Sequence, residues 1–280
     1  MEKCNLCPRS CGVDRNSQKG FCQELAKIRV AKIIEHFSWE EPCLSKESGT
    51  LAIFFSGCNL KCDYCQNYKI SRGGVGEFYT IEEFATLLQE KQKTHSSIDL
   101  ITPTHFSRQL AEVFTLFKKE VPVIWNTNGY EALENVQMVS KFVDVFLTDI
   151  KYSNDSLGAE FSNCPNYFTK TLPAIKEMCH QKEDVFDGEF MKQGVLLRHL
   201  VLPGHVKNSL ETLDVIAKNF PDRKVSIMSQ FTPNGKSKLN RKITAIEYKT
   251  VLTHMEKLGL ENGYVQDFES ATENFVPVFV

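Results

Sequence analysis

The segment Thr50-Leu51-Ala52-Ile53-Phe54-Phe55-Ser56-Gly57-Cys58-Asn59-Leu60-Lys61-Cys62-Asp63-Tyr64-Cys65-Gln66-Asn67 decides how the rest of the chain is read. Its first six residues are an apolar run of strand length, continuous rather than alternating, as suits a strand buried on both faces. Ser56-Gly57 ends the run, and three cysteines follow in C-x3-C-x2-C spacing. Three thiolates on one short loop suit three corners of a cubane iron–sulfur cluster. A fourth cysteine would close such a cluster for electron transfer, whereas three leave one iron open to an outside ligand. Zinc and a ferredoxin-type cluster are the competing readings. Structural zinc takes four protein ligands and favours C-x2-C pairs. Here three cysteines follow a strand, with an aromatic residue, Tyr64, before the last.

The rhythm of that strand recurs. Apolar runs at 98–102, 121–126, 143–149, 195–202 and 224–231 are further candidate strands. Amphipathic stretches separate them. Thr80 and Glu83 form a capping box ahead of Ile81, Phe84, Ala85 and Leu88, and Thr244 and Glu247 do the same ahead of Tyr248, Val251, Leu252 and Met255. Ser107 is the expected cap of a helix bearing Leu110, Val113, Phe114 and Phe117. Leu213, Ile216, Ala217 and Phe220 mark another, and Gly259 is a natural helix stop. Six strands alternating with helices imply parallel βα units, so the fold class is α/β. A doubly wound sheet and a whole or partial barrel both fit, and in both, function collects at the C-terminal ends of the strands. Residues 28–34 read as a strand or an edge segment, Gly73-Gly74 with Gly76 as a flexible loop, and residues 263–280 as a strand or extended tail.

The 280 residues are 42% hydrophobic and 24% charged, enough apolar material for a sizeable core. Net charge is −2 with no long basic run, so no nucleic-acid partner is expected. No stretch reaches the roughly 18 apolar residues of a membrane helix, and Met1-Glu2-Lys3-Cys4-Asn5 lacks the apolar core of a signal peptide. The expectation is a cytoplasmic protein with no membrane partner. In a reducing compartment the ten cysteines are read as metal ligands before disulfides. Cys4, Cys7, Cys11 and Cys22, spaced C-x2-C-x3-C-x10-C, give four soft ligands in a short polar segment. They are the candidate ligands of a second metal site, zinc or iron–sulfur, with free thiols or a redox pair as the alternative. Cys43, Cys164 and Cys179 are isolated and read as packing residues.

The cysteine loop resembles the signature of the radical S-adenosylmethionine (SAM) superfamily, C-x3-C-x-aromatic-C. The wider sequence is similar to the pyruvate formate-lyase activating enzyme-related branch. The resemblance runs through Trp39-Glu40-Glu41-Pro42-Cys43, Leu100-Ile101-Thr102-Pro103-Thr104-His105-Phe106, Asn126-Thr127-Asn128-Gly129 and Thr148-Asp149-Ile150-Lys151. It continues at Arg198-His199-Leu200-Val201-Leu202-Pro203-Gly204 and Met228-Ser229-Gln230-Phe231-Thr232-Pro233. It implies a partial (βα)6 TIM-like barrel over residues 49–235. A Cys-rich N-terminal extension over 1–48 precedes it, and a helix and tail over 236–280 pack on it. Cys58, Cys62 and Cys65 would hold a [4Fe–4S] cluster whose open iron takes the SAM amino and carboxylate groups. Relatives often carry Gly-Gly-Glu at the end of the second strand. This chain has Thr102, Thr104 and His105 there, which become the candidates for the SAM amino group. Tyr64, Asn126 and Asn128, Arg198 for the SAM carboxylate, Met228 and Gln230 beside adenine, and the pair Asp149 and Lys151 complete the candidate cofactor-binding set.

The activity implied is reductive cleavage of SAM to a 5′-deoxyadenosyl radical that takes hydrogen from a protein or peptide substrate, a glycyl-radical enzyme being the natural target. The reductant would be of the flavodoxin or ferredoxin class. Radical modification of another peptide or a small molecule is the alternative within this chemistry. Outside it stand a non-catalytic iron–sulfur electron carrier and a zinc-stabilised interaction module. The chain has no glycyl-radical motif near residue 280, so it reads as an activator and not a recipient.

Overall fold

The candidate strands become the staves of one sheet. The computed structural model describes residues 3–38, 41–235 and 237–268. The strands among them are β1 (Ile28–Phe37), β2 (Thr50–Phe55), β3 (Glu77–Tyr79), β4 (Ser97–Ile101), β5 (Val123–Thr127), β6 (Val145–Asp149), β7 (Val185–Asp187), β8 (Phe190–Leu200), β9 (Lys224–Met228) and β10 (Gly263–Val265). The helices are α1 (Tyr68–Ser71), α2 (Ile81–Lys91), α3 (Ser107–Val113), α4 (Leu133–Val139), α5 (Asp155–Ser162), α6 (Tyr167–Gln181), α7 (Val206–Asn219) and α8 (Ala245–Lys257). Spatial order is β10-β9-β8-β6-β5-β4-β2-β1-β3, with β7 pairing off β8. From β2 to β9 every neighbour is parallel, each pair joined through helix, which is a six-stranded partial barrel. β10 adds a parallel strand at one edge, and β1 lies antiparallel on β2 at the other. Residues 28–34 are thus sheet, and the expected strand at 263 is short. Trp39, Glu40 and residues 269–280 lie outside the described residues.

Alternation within each strand divides two cores. One set of side chains, including Phe84, Leu88, Trp125, Phe146, Leu197 and Leu213, fills the space between strands and helices. The other set faces inward: Ile124, Val145, Leu147 and Leu196 pack on Cys43 and Leu44 at one level, and Ala52, Phe54 and Ile101 at another. The register sets Phe54 beside Ile101, Ile101 beside Asn126, Asp149 beside Arg198 and Leu200 beside Met228. The inward face therefore changes from aliphatic to polar at the C-terminal strand ends. Burying polar groups there is costly unless they bond to one another.

Local chemistry explains most boundaries. Both capping boxes form, Thr80 with Glu83 and Thr244 with Glu247, and Gly259 takes the left-handed φ of 70° that ends a helix. Two expectations change. Ser107 is the first residue of α3, not its cap, because a short 3-10 turn over Thr104–Phe106 runs directly into the helix. Gly73-Gly74 and Gly76 are a tethered turn: the Gly74 amide donates to Glu24 at 2.6 Å, and a Cβ on Gly76 would stand 2.0 Å from the Val30 carbonyl oxygen. The long segment between β6 and β8 holds α5 and α6. Pro173 lies within α6, and a proline in a helix interior removes one backbone hydrogen bond.

Candidate active site

The C-terminal ends of the parallel strands enclose a cavity of about 220 Å³. Cys58, Cys62 and Cys65 line it, together with Tyr64, Thr102, Asn126, Asn128, Asp149, Lys151, Arg198, Met228 and Gln230. Residues from positions 58 to 230 meet because each ends a parallel strand or opens the loop after it. The loop after β2 is held from both sides. Gly57 adopts φ 85°, and a Cβ there would come within 2.5 Å of the Cys22 carbonyl oxygen, so this turn is closed to other residues. The Lys61 and Asp63 amides donate to the Ser162 and Phe161 carbonyls at the end of α5, at 3.1 and 2.9 Å.

Each sulfur has its own surroundings. Cys58 Sγ accepts from the Leu60 amide at 3.3 Å and from Asn128 Nδ2 at 3.5 Å. Asn128 Nδ2 also donates to Asn59 Oδ1 at 2.8 Å, so its side chain steadies the cysteine loop. Cys62 shares a 2.8 Å hydrogen bond with Ser162, which Tyr152 and Tyr64 extend as a chain of hydroxyls. Burial pushes the Cys62 thiol up to about 12, the Lys151 cation working against it, and burial raises Cys58 as well. Soft cationic iron removes this penalty by taking up the thiolate charge. The three sulfurs fit such a group in donor type, in convergence on one cavity and in the amide donors already aimed at Cys58.

Across the cavity runs a charged network. Arg198 Nε donates to Asp149 Oδ1 at 2.8 Å and Nη2 to Asn126 Oδ1 at 2.9 Å. Lys151 donates to the other Asp149 oxygen. Asn126 in turn donates to Asp99 at 3.2 Å. Burial acts to raise the Asp149 carboxyl, but the Arg198 and Lys151 cations overcome it and hold the group at about 2. Asp99, buried deeper, is driven the other way, to about 8, by burial that its Asn126 bond and the Arg198 charge only partly offset. The network is thus one ionised carboxylate between two cations, set over one protonated carboxyl.

Two expected residues are not brought to the cavity. Thr104 is buried and donates to Glu131 at 2.6 Å. His105 is buried behind the cysteine loop, with Nε2 2.6 Å from the Ser56 carbonyl oxygen, and is driven down to about 3 by burial and Arg15. Of that trio only Thr102 faces the cavity, at a left-handed φ of 59°. His199 is a satisfied core histidine, bonded to Ile150 O and Ser209. Sequence reasoning missed Glu131, a buried carboxylate accepting from Thr104, Trp125, Thr127 and Asn135. It ties the start of α4 to the ends of β4 and β5 just where Asn126 and Asn128 emerge. Asn59, Ser162, Tyr152 and Asp99 were missed too; their partners lie far off in sequence, so no local spacing announces them.

Residues 52–228 match the family model of the Radical SAM superfamily. An uncharacterized protein of Methanocaldococcus jannaschii is 29% identical over 278 residues, covering 94% of this chain and 77% of that one. Streptococcus suis SuiB bound to its precursor peptide SuiA superposes with TM-score 0.51 at 11% identity, over 75% of this chain. The match spans 46% of SuiB, less than half its length. A spore photoproduct lyase variant superposes with TM-score 0.50 at 12% identity, covering 76% of this chain and 74% of that one. These structural likenesses are of fold.

Proposed function

The chain belongs to the radical SAM superfamily, and on that premise we propose that Cys58, Cys62 and Cys65 hold a [4Fe–4S] cluster at which SAM is reductively cleaved, the resulting radical taking hydrogen from a protein or peptide substrate. The observation that carries this reading is the meeting of three cysteine sulfurs with the Asp149–Lys151–Arg198 network on one cavity. A cluster held by Cys58, Cys62 and Cys65, once reduced by a flavodoxin- or ferredoxin-class donor, would supply the single electron that reductive cleavage of a SAM carbon–sulfur bond requires.

The chain's own residues do the rest. Asn128 and the Leu60 amide orient Cys58, and Ser162 orients Cys62. Arg198 offers the guanidinium for the SAM carboxylate, already fixed in direction by Asp149 and Asn126, so little rotamer freedom is lost on binding. Thr102 and the β4 carbonyl end are the remaining candidates for the SAM amino group. Met228 and Gln230 offer a thioether and an amide edge to adenine. The apolar wall of Phe54, Leu60, Ile101 and Leu200 keeps water from a reactive carbon radical.

A peptide substrate is supported by the SuiB likeness, in a protein crystallised with its precursor peptide, and by the residues resembling the activating-enzyme branch. A glycyl-radical enzyme is the specific target proposed. The test is anaerobic reconstitution with iron and sulfide, then dithionite and SAM. The expected products are 5′-deoxyadenosine and methionine in equal amounts; an intact cluster that yields neither would show an electron carrier instead. Mixing with candidate glycyl-radical partners should then give a protein-based EPR signal.

A further inference from the structure

We infer that Cys4, Cys7, Cys11 and Cys22 hold a second iron–sulfur cubane, packed against the loop that carries Cys58. Residues 3–24 contain neither helix nor strand, and what shapes them is a set of turns that gathers the sulfurs. The Cys4 amide donates to Val13 O at 2.9 Å and the Gly12 amide to Cys4 O at 3.0 Å, closing a loop that contains Cys7 and Cys11. The Ser10 amide donates to Cys7 O at 3.0 Å, and Ser10 and Gly12, at φ 42° and 66°, turn the chain on either side of Cys11. Cys22 returns to the same place: a Cβ on Gly20 would stand 3.6 Å from Cys11 Sγ and 3.7 Å from Cys22 Sγ, filling the space between those sulfurs. Gly20 is not in the left-handed region, so its missing side chain leaves room rather than permitting a turn. Cys11 Sγ accepts from the Phe21 amide at 3.3 Å, as Cys58 Sγ accepts from Leu60; such bonds favour sulfur that carries charge.

The spacing selects the kind of metal group. Around one zinc ion, tetrahedral sulfurs lie about 3.8 Å apart. Among the described residues, Glu35, His36 and His95 are the one group of three whose ligand atoms all lie within 4.8 Å of one another. No three sulfurs of either cysteine set close that far. A cubane, whose corner irons stand apart, accepts that spacing; a single ion would have to draw the loop inward.

The two cysteine loops interlock. Arg9, between Cys7 and Cys11, donates to Asn59 O at 2.8 Å, next to Cys58. It also lies 3.8 Å over the Phe21 ring, and Lys61 reaches the same ring at 5.4 Å. A cubane closed by four thiolates leaves no iron for SAM, and its chemistry is confined to moving single electrons. Held by Cys4, Cys7, Cys11 and Cys22, such a cubane would take one electron from a ferredoxin- or flavodoxin-class donor, oxidising it by one, and would pass that electron to the group held by Cys58, Cys62 and Cys65. That role rests on the radical SAM reading; the site does not.

The experiment uses the full chain, reconstituted anaerobically with iron and sulfide and assayed for metals. The wild type is expected to hold roughly eight irons, as two cubanes, and the triple variant Cys58→Ala/Cys62→Ala/Cys65→Ala roughly four, with the EPR signal of a reduced cubane after dithionite. The triple variant leaves the N-terminal segment untouched. If it binds zinc without iron, or no metal, the proposal is overturned. A wild type holding both clusters yet forming no 5′-deoxyadenosine would overturn the proposed function and leave this site standing. Gly20→Val places methyl groups between the Cys11 and Cys22 sulfurs and is expected to lose roughly half the iron. Full iron content in that variant would overturn the placement.

Discussion

Thr102 holds a β-branched side chain at φ 59° on the rim of the cavity, a conformation that costs of order 1–3 kcal/mol and survives only where its surroundings impose it. Replacing it with glycine should stabilise the chain by about 1 kcal/mol, read as a raised denaturation midpoint, and weaken SAM binding; an unchanged midpoint would mean the site stores no strain there. Asn128 touches the cysteine loop and not only the cavity. Asn128→Ala is expected to cost about 10–100-fold in cluster retention or SAM cleavage, measured as iron content and 5′-deoxyadenosine rate; wild-type values for both would remove it from the machinery. Asp99 gives a signed pH effect. Its folded value, about 8, lies above its unfolded one, so its stabilising neutral form is fully effective below about pH 4 and the contribution is lost as pH rises toward 8. Asp99→Asn keeps an uncharged oxygen for Asn126. It should be more stable than wild type at pH 8, by 1 kcal/mol or more on an order-of-magnitude view, with the gap closing near pH 4. A gap independent of pH would contradict a protonated Asp99. The histidines tilt the acid side: His199, held down at about 4 by burial, contributes stability present above about pH 6.5 and lost as pH falls through 4.

Among the elements, α8 is set by its Thr244–Glu247 capping box, and Glu247 is occupied further by Arg241 at 2.7 Å and by the Gly204 amide at 2.7 Å. The cap therefore fastens the start of α8 to the turn after β8. Thr244→Ala should cost about 1 kcal/mol, seen in the denaturant midpoint; a loss under a few tenths would show that Arg241 and Gly204 hold the helix without the cap. Both capping boxes, the helix stop at Gly259 and the apolar staves were legible because each is a short-range pattern. Ser107 was misassigned because a 3-10 turn and an α-helix share their first hydrogen-bonding residues, and the sequence of Thr104–Phe106 does not tell them apart. Helix α6 went unseen: Pro173 inside Tyr167–Gln181 breaks the local rule, and packing of Tyr167, Ala174, Ile175 and Met178 into the core overrides it.

For the whole molecule, a cluster that binds only the folded chain adds to its stability. Removing iron with a chelator under reducing conditions should lower the melting temperature by several degrees or more; equal melting of loaded and stripped chains would mean that neither cysteine loop is metal-bound when folded. The sequence alone determined the parallel βα plan, the cysteine loop behind the first stave and the collection of Asn126, Asn128, Asp149, Lys151 and Arg198 at strand ends. The plan and the loop follow from period and spacing, which are local properties of a chain; the choice of those five residues came from the family resemblance. Only the tertiary structure decided which polar groups face the cavity. It turned Thr104 to Glu131 and His105 to the back of the loop, made Asp99 the floor of the charged network, and set Arg9 against Asn59. These partners stand between 27 and 50 positions apart, and burial forces each polar group to find whichever partner the folded sheet brings within reach. Pairing of that kind is a property of register and packing, which no local pattern in the chain records.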